Sequence, residues 1–229
     1  MPRKHLAAAA VALVVPGLGA FVAFVVLGGS PAGEAVFAAS KVFLLAWPAF
    51  WTFAVDRADL RVLANPSGAL RLRPWALGLA TGSFFAFLIW LGWTLGLDMM
   101  LAEHRPAVEA AVARWGSRNH FWTWALLMSV LHSGVEEIYW RGFVFSRLRP
   151  WVGDGAAALV SSAGFGVHHG VLYAATLDAA SGAFLALAVA IAAGAWCLLY
   201  QEEKTLWASW ASHLVADLAI FAIGAHFLF

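Results

Sequence analysis

Residues 121–148 read FWTWALLMSVLHSGVEEIYWRGFVFSRL. The stretch is apolar and long enough for a membrane-spanning helix, which needs roughly 20 such residues. Yet it carries His132, Glu136, Glu137 and Arg141. A charged residue at the centre of a span costs about 2.5–3.5 kcal/mol on insertion scales, and an intramembrane ionisable group marks a functional site by default. Helical spacing sorts the four. Glu137 and Arg141 stand at i and i+4 on one face, so they can pair. Glu136 is turned about 100° away. Its in-helix polar neighbour is His132, at i−4, and its own helix supplies it with no cation.

Similar apolar runs flank this one: about 6–28, 36–55, 75–97, 156–177, 181–200 and 206–228, seven with 121–147. The boundary between the fifth and sixth is soft, with only Leu177 to Ser181 between them. Over all 229 residues, 62% are hydrophobic and 12% charged, and mean hydropathy is +0.79. A soluble domain is about 45–50% apolar and about 25% charged, so lipid is the solvent here. The expected fold is all-α: a polytopic transmembrane helix bundle of about seven spans, one integral membrane domain over residues 1–229. In lipid such helices satisfy their own backbone hydrogen bonds and then pack on one another. Pro16 and Pro48 should kink their helices. The first run, behind Arg3 and Lys4, exceeds a signal-peptide core of about 7–15 residues and reads as a retained span.

Loop cations set the orientation. With the N-terminus cytoplasmic, inner segments hold Arg3, Lys4, Arg57, Arg61, Arg71, Arg73, Arg147, Arg149 and Lys204. Outer segments hold Arg105, Arg114 and Arg118. Lys41 and Arg141 fall inside spans. The basic loop 56–74 reads as a topology determinant that touches anionic lipid. Segment 98–120, with Ala107, Val108, Ala111, Val112 and Trp115 at helical spacing, reads as an amphipathic helix on the outer face. A net charge of +1 points to no nucleic-acid partner. Cys197, alone of its kind, reads as a small buried hydrophobe. Trp47, Trp51, Trp75, Trp122, Trp124, Trp151 and Trp207 lie near span ends, as in interfacial aromatic belts.

Two further runs carry polar groups. The fifth holds GFGVHHG, with His168 and His169. The seventh holds His213 and Asp217, again i and i+4. At about 1.5 Å rise per residue, Glu136, His169 and His213 lie roughly 16, 20 and 10 Å from the cytoplasmic ends of their runs. Three helices could therefore bring one carboxylate and two imidazoles to one level. A carboxylate and an imidazole can together take a proton from water, and further donors can hold an oxyanion. His132, His168 and His226 read as incidental polar residues.

These residues resemble the CPBP family, the CAAX-prenyl-protease and bacteriocin-processing proteins, also called ABI or Rce1-like intramembrane glutamic endopeptidases. The family pattern is E-E-x-x-x-R, then F-x-x-x-H, then H-x-x-x-N or D on successive membrane helices. Here it reads Glu136-Glu137-Ile-Tyr-Trp-Arg141, Phe165-Gly-Val-His-His169 and His213-Leu-Val-Ala-Asp217. The resemblance covers a motif-bearing core of about 121–225. It implies a membrane endopeptidase that cleaves a membrane-associated protein or peptide; the high Ala, Gly, Arg and Trp content suggests a bacterial source, and with it a multi-pass protein of the cell (inner) membrane. Carried over, Glu136 and His169 activate water, and His213 and Asp217 stabilise the oxyanion. Glu137 and Arg141 brace the helix, and Phe165 packs beneath the site. No metal or other cofactor is expected from it. An ionised Asp217 cannot donate to an oxyanion, whereas a protonated one can; it could instead orient His213 or ligate a metal. The alternatives are a zinc peptidase built on Glu136, His169, His213 and Asp217, or a non-proteolytic immunity or scaffold protein of the same fold. No H-E-x-x-H motif supports the first.

Overall fold

The computed structural model describes residues 3–59, 65–114 and 119–229. Seven long helices are present among them. We label them with one short helix in chain order: α1 (Arg3–Val26), α2 (Pro31–Val55), α3 (Leu72–Ala102), the short α4 (Arg105–Arg114), α5 (121–152), α6 (154–176), α7 (Ala179–Glu203) and α8 (Leu206–Leu228). By length and composition α1, α2, α3, α7 and α8 can cross a membrane. The other two long helices, α5 and α6, hold most of the buried ionisable groups: Glu136, Glu137, Arg141, Arg147 and His168.

Local chemistry sets the ends. Pro31 opens α2 at the position where a missing N–H costs nothing, behind Ser30, whose hydroxyl accepts from Gly33 N at 3.1 Å. Asp178 caps α7, its Oδ1 accepting from the backbone N–H of Ala180 and Ser181 at 2.8 and 3.0 Å. That cap resolves the soft boundary between the fifth and sixth apolar runs. Gly153, at φ 79°, separates α5 from α6, so α5 extends past the expected end at 147. Gly96, at φ 131°, turns the chain within α3. Segment 98–120 does not form one helix: its start completes α3, a turn follows, and α4 is ten residues long. On α4, Val108 and Val112 face the apolar cluster of Phe121 and Phe227, while Ala107 is exposed. Trp115 and Arg118 of that segment, and Arg61 of the basic loop, lie outside the described residues.

Each of the two prolines lies just before a stretch of wider, i→i+5 turns, Phe21–Val26 and Trp51–Val55. Pro16 has no N–H for the carbonyl of Ala12. The Tyr139 hydroxyl supplies the missing donor at 2.6 Å. A freed backbone acceptor in lipid is thereby satisfied by a neighbouring helix, and α1 is fastened to α5.

Small residues let the helices close. A Cβ at Gly78 of α3 would stand 2.5 Å from the Ala208 carbonyl oxygen of α8, and one at Gly166 of α6 would stand 2.6 Å from that of Ala186 on α7. Backbone approach of this kind is how helices associate where lipid offers no hydrophobic drive. Together α3 with α8 and α6 with α7 form two packed pairs, and α5 runs between them. Its Tyr139, Trp140, Phe143, Val144 and Phe145 are wholly buried. Cys197 is buried among them, 3.8 Å from the Ser162 hydroxyl.

Candidate active site

The two adjacent carboxylates of α5 are both buried, Glu136 at 2% and Glu137 at 0% exposure, and they face different helices. Glu137 Oε1 accepts from Arg141 Nη1 at 2.9 Å, as the i,i+4 spacing requires. It also lies 2.9 Å from His213 Nδ1 on α8. Arg141 donates onward to the Ala193 carbonyl of α7 at 3.2 Å, and its guanidinium stands about 5 Å from the rings of Phe165 and Trp196. Glu137 is therefore more than a brace for its own helix: it also holds His213. Because a carboxylate paired with arginine accepts only, His213 Nδ1 carries the proton it shares with Glu137. Its Nε2 is then turned into the site, 3.8 Å from Glu136 Oε2 and 3.6 Å from Asp217 Oδ1. Trp196 stacks on the His213 ring at 4.0 Å between centroids and fixes its plane.

Glu136 looks the other way, as its rotation on the helix demands. Its Oε1 is 3.1 Å from His132 Nε2, 3.9 Å from His168 Nε2 and 3.9 Å from Lys41 Nζ. His132 and Lys41 also touch, at 3.0 Å. The ligand atoms of Glu136, His168 and His169 all lie within 4.8 Å of one another, the one grouping among the described residues with the spacing to hold a metal ion. His169 Nδ1 is 3.0 Å from the Phe165 carbonyl oxygen. A carbonyl only accepts, so Nδ1 bears the hydrogen and Nε2 presents its lone pair. The Phe165 ring lies against His169, His213, Trp140 and Trp196 and closes the apolar side.

The residues singled out from sequence are thus gathered. Glu136, His169, His213 and Asp217 come together from α5, α6 and α8, with Glu137, Arg141 and Phe165 directly behind them. Other neighbours join this group. His132 and His168, read as incidental, are both within 4 Å of Glu136. Glu136, without a cation on its own helix, receives one from α2 in Lys41. Its signal was its place as a lysine inside an apolar span. Trp196 gave no signal, because an aromatic residue in a span is ordinary core. His226 sits at the far end of α8 against Trp93.

Beside the cluster, a cleft lined by Pro16, Ala20, Phe37, Ser40, Lys41, Leu44 and His168 opens between α1, α2 and α6.

Residues 118–219 match the family model described as Type II CAAX prenyl endopeptidase Rce1-like. The chain therefore carries a domain of this family of membrane peptidases over those residues. No curated protein and no solved structure matches it.

Proposed function

We propose that this chain, on the premise of its Rce1-like domain, hydrolyses a peptide bond of a membrane-associated protein or peptide with a water activated by Glu136 and His169. The observation that carries the reading is the convergence of Glu136, His169 and His213 from three helices in one polar cluster. In the first step Glu136 takes a proton from water, which His169 Nε2 orients, and the oxygen adds to the scissile carbonyl carbon. The oxyanion lies toward His213 Nε2 and Asp217, each of which donates when protonated. Collapse returns the proton from Glu136 to the leaving nitrogen as the C–N bond breaks, giving a carboxylic acid and an amine, between which the remaining proton passes to leave a carboxylate and an ammonium. Glu137 and Arg141 hold His213 in place throughout. The family description makes a prenylated C-a-a-X peptide the first substrate class to try.

The topology belongs to the same proposal. Seven spans with a cytoplasmic N-terminus put nine loop cations inside and three outside, in line with the positive-inside rule. The chain acts as a single unit, with α1 and α2 forming one wall of the cleft.

The test is cleavage of a farnesylated C-a-a-X peptide by the protein in lipid vesicles, read by mass spectrometry, with Glu136→Ala as the control. Cleavage by the wild type and its loss in the variant are expected. Undiminished turnover by a folded Glu136→Ala protein would exclude the mechanism.

A further inference from the structure

We infer that Glu136, His168 and His169 form a binding site for a zinc-class divalent ion, with His168, not His213, as the third ligand. The inference rests on the geometry of the cluster; zinc there would engage Glu136 and His169, the groups that activate water in the proposed reaction, so the metal-loaded state is distinct from the hydrolysing one.

One carboxylate and two imidazoles make a donor set suited to zinc and its late-transition neighbours, whereas calcium and magnesium prefer oxygen. Three protein ligands with a vacant fourth position match an open zinc site. The three ligand atoms already lie within 4.8 Å of one another. Zinc bonds of about 2.0–2.2 Å then call for an inward shift of only about 1 Å per side chain.

The surroundings favour this set over the one the motif suggests. His169 donates its Nδ1–H to the Phe165 carbonyl, the outer-shell bond that fixes the tautomer and aim of a metal-binding imidazole. His168 Nδ1 is buried with no hydrogen-bond partner, and the ring is held instead by packing on Trp140 and Phe165. His213, in contrast, is held by Glu137 and stacked under Trp196, and its Nε2 shares Glu136 Oε2 with Asp217 close by. His168 also falls outside the F-x-x-x-H spacing, which selects His169. The site is thus a property of this chain's GFGVHHG segment. The rival for Glu136 is the Lys41 ammonium, 3.9 Å from Oε1.

That rivalry gives a test whose sign misfolding cannot mimic. Tag-free, chelator-stripped protein in detergent is titrated calorimetrically with zinc chloride. One high-affinity zinc per chain is expected. Lys41→Met, which removes the competing cation, should tighten binding by about tenfold. His168→Phe should weaken it by more than the about 10–100-fold that loss of an outer-shell partner costs, and His213→Asn should leave it within a few-fold. Absence of stoichiometric zinc would overturn the inference. So would weakening by His213→Asn without weakening by His168→Phe, or weaker binding in Lys41→Met. Since no outcome depends on substrate, a failed cleavage assay and a failed zinc titration remain distinguishable.

Discussion

The two sides of α5 handle adjacent carboxylates in opposite ways. On the α7–α8 side, Glu137 is locked: Oε1 takes Arg141 and His213 at 2.9 Å each, and Arg141 is pinned by a carbonyl and two aromatic faces. On the α2–α6 side, Glu136 has several basic neighbours at 3.1 to 3.9 Å, but no well-formed hydrogen bond reaches Oε1. A buried ion pair with its hydrogen bonds in place resists change, because removing either partner strands a charge. A buried carboxylate ringed by bases at longer range is stable enough to persist and loose enough to exchange a proton. Burial alone does not separate a structural from a reactive glutamate in this helix, and each has one oxygen without a partner; the two close bonds to Glu137 Oε1 make the difference.

Substitutions can break that contrast. The largest effect is expected for Glu136→Gln. It keeps the shape, removes the base, and should lower single-turnover cleavage of the prenylated peptide by at least about 10²–10⁴-fold. The unfolding temperature should barely move. A large loss of stability with activity retained would mean that the locked and the reactive side had been exchanged. Next is Arg141→Met, which strands Glu137. It should cost about 3–5 kcal/mol, measured by reversible unfolding in detergent, and should lower activity only through loss of folded protein and misplacement of His213. Lys41→Met is smaller. Its side chain is 29% exposed, and it acts on Glu136 from outside the family domain. A drop of about tenfold in turnover is expected, with Lys41→Arg recovering most of it; equal loss in both would remove charge as the reason.

The smallest effect belongs to a third carboxylate, Asp178, outside the membrane helices. Its hydrogen bonds to the Ser181 side chain and to the backbone of α7 hold it down, from an ordinary 3.8 to about 2. Asp178→Ala should lower the melting temperature by a few degrees. Because the folded-state value is the lower one, this contribution is complete above about pH 4 and is lost as pH falls toward 2. Wild-type and variant melts compared across that window should converge at the acid end. A difference that persisted there would show that the cap acts without its charge.

How much was legible beforehand follows the range of the interactions. The apolar runs, the i,i+4 pairing of Glu137 with Arg141, the outward turn of Glu136 and the His213–Asp217 spacing are local, and helical periodicity fixes them whatever the bundle does. The α3 and α7 boundaries shifted by a few residues, because Gly96 and Asp178 act through φ and capping and not through hydropathy. Segment 98–120 looked like one amphipathic helix because its apolar spacing continues across the turn that divides it.

Sequence by itself therefore determined that this chain is a bundle of apolar helices with a few costly charged groups, and which of those groups share a helix face. Only the tertiary structure decided who meets whom across helices. It brought Lys41 from α2 to Glu136, placed His168 beside His169 in the cluster, and made Glu137 the anchor of His213. The reason is physical: the rotation and depth of each helix are set by close approaches at Gly78 and Gly166, and by the Ala12 carbonyl that Pro16 leaves for Tyr139. Contacts of that kind join residues far apart in the chain and leave no period in it.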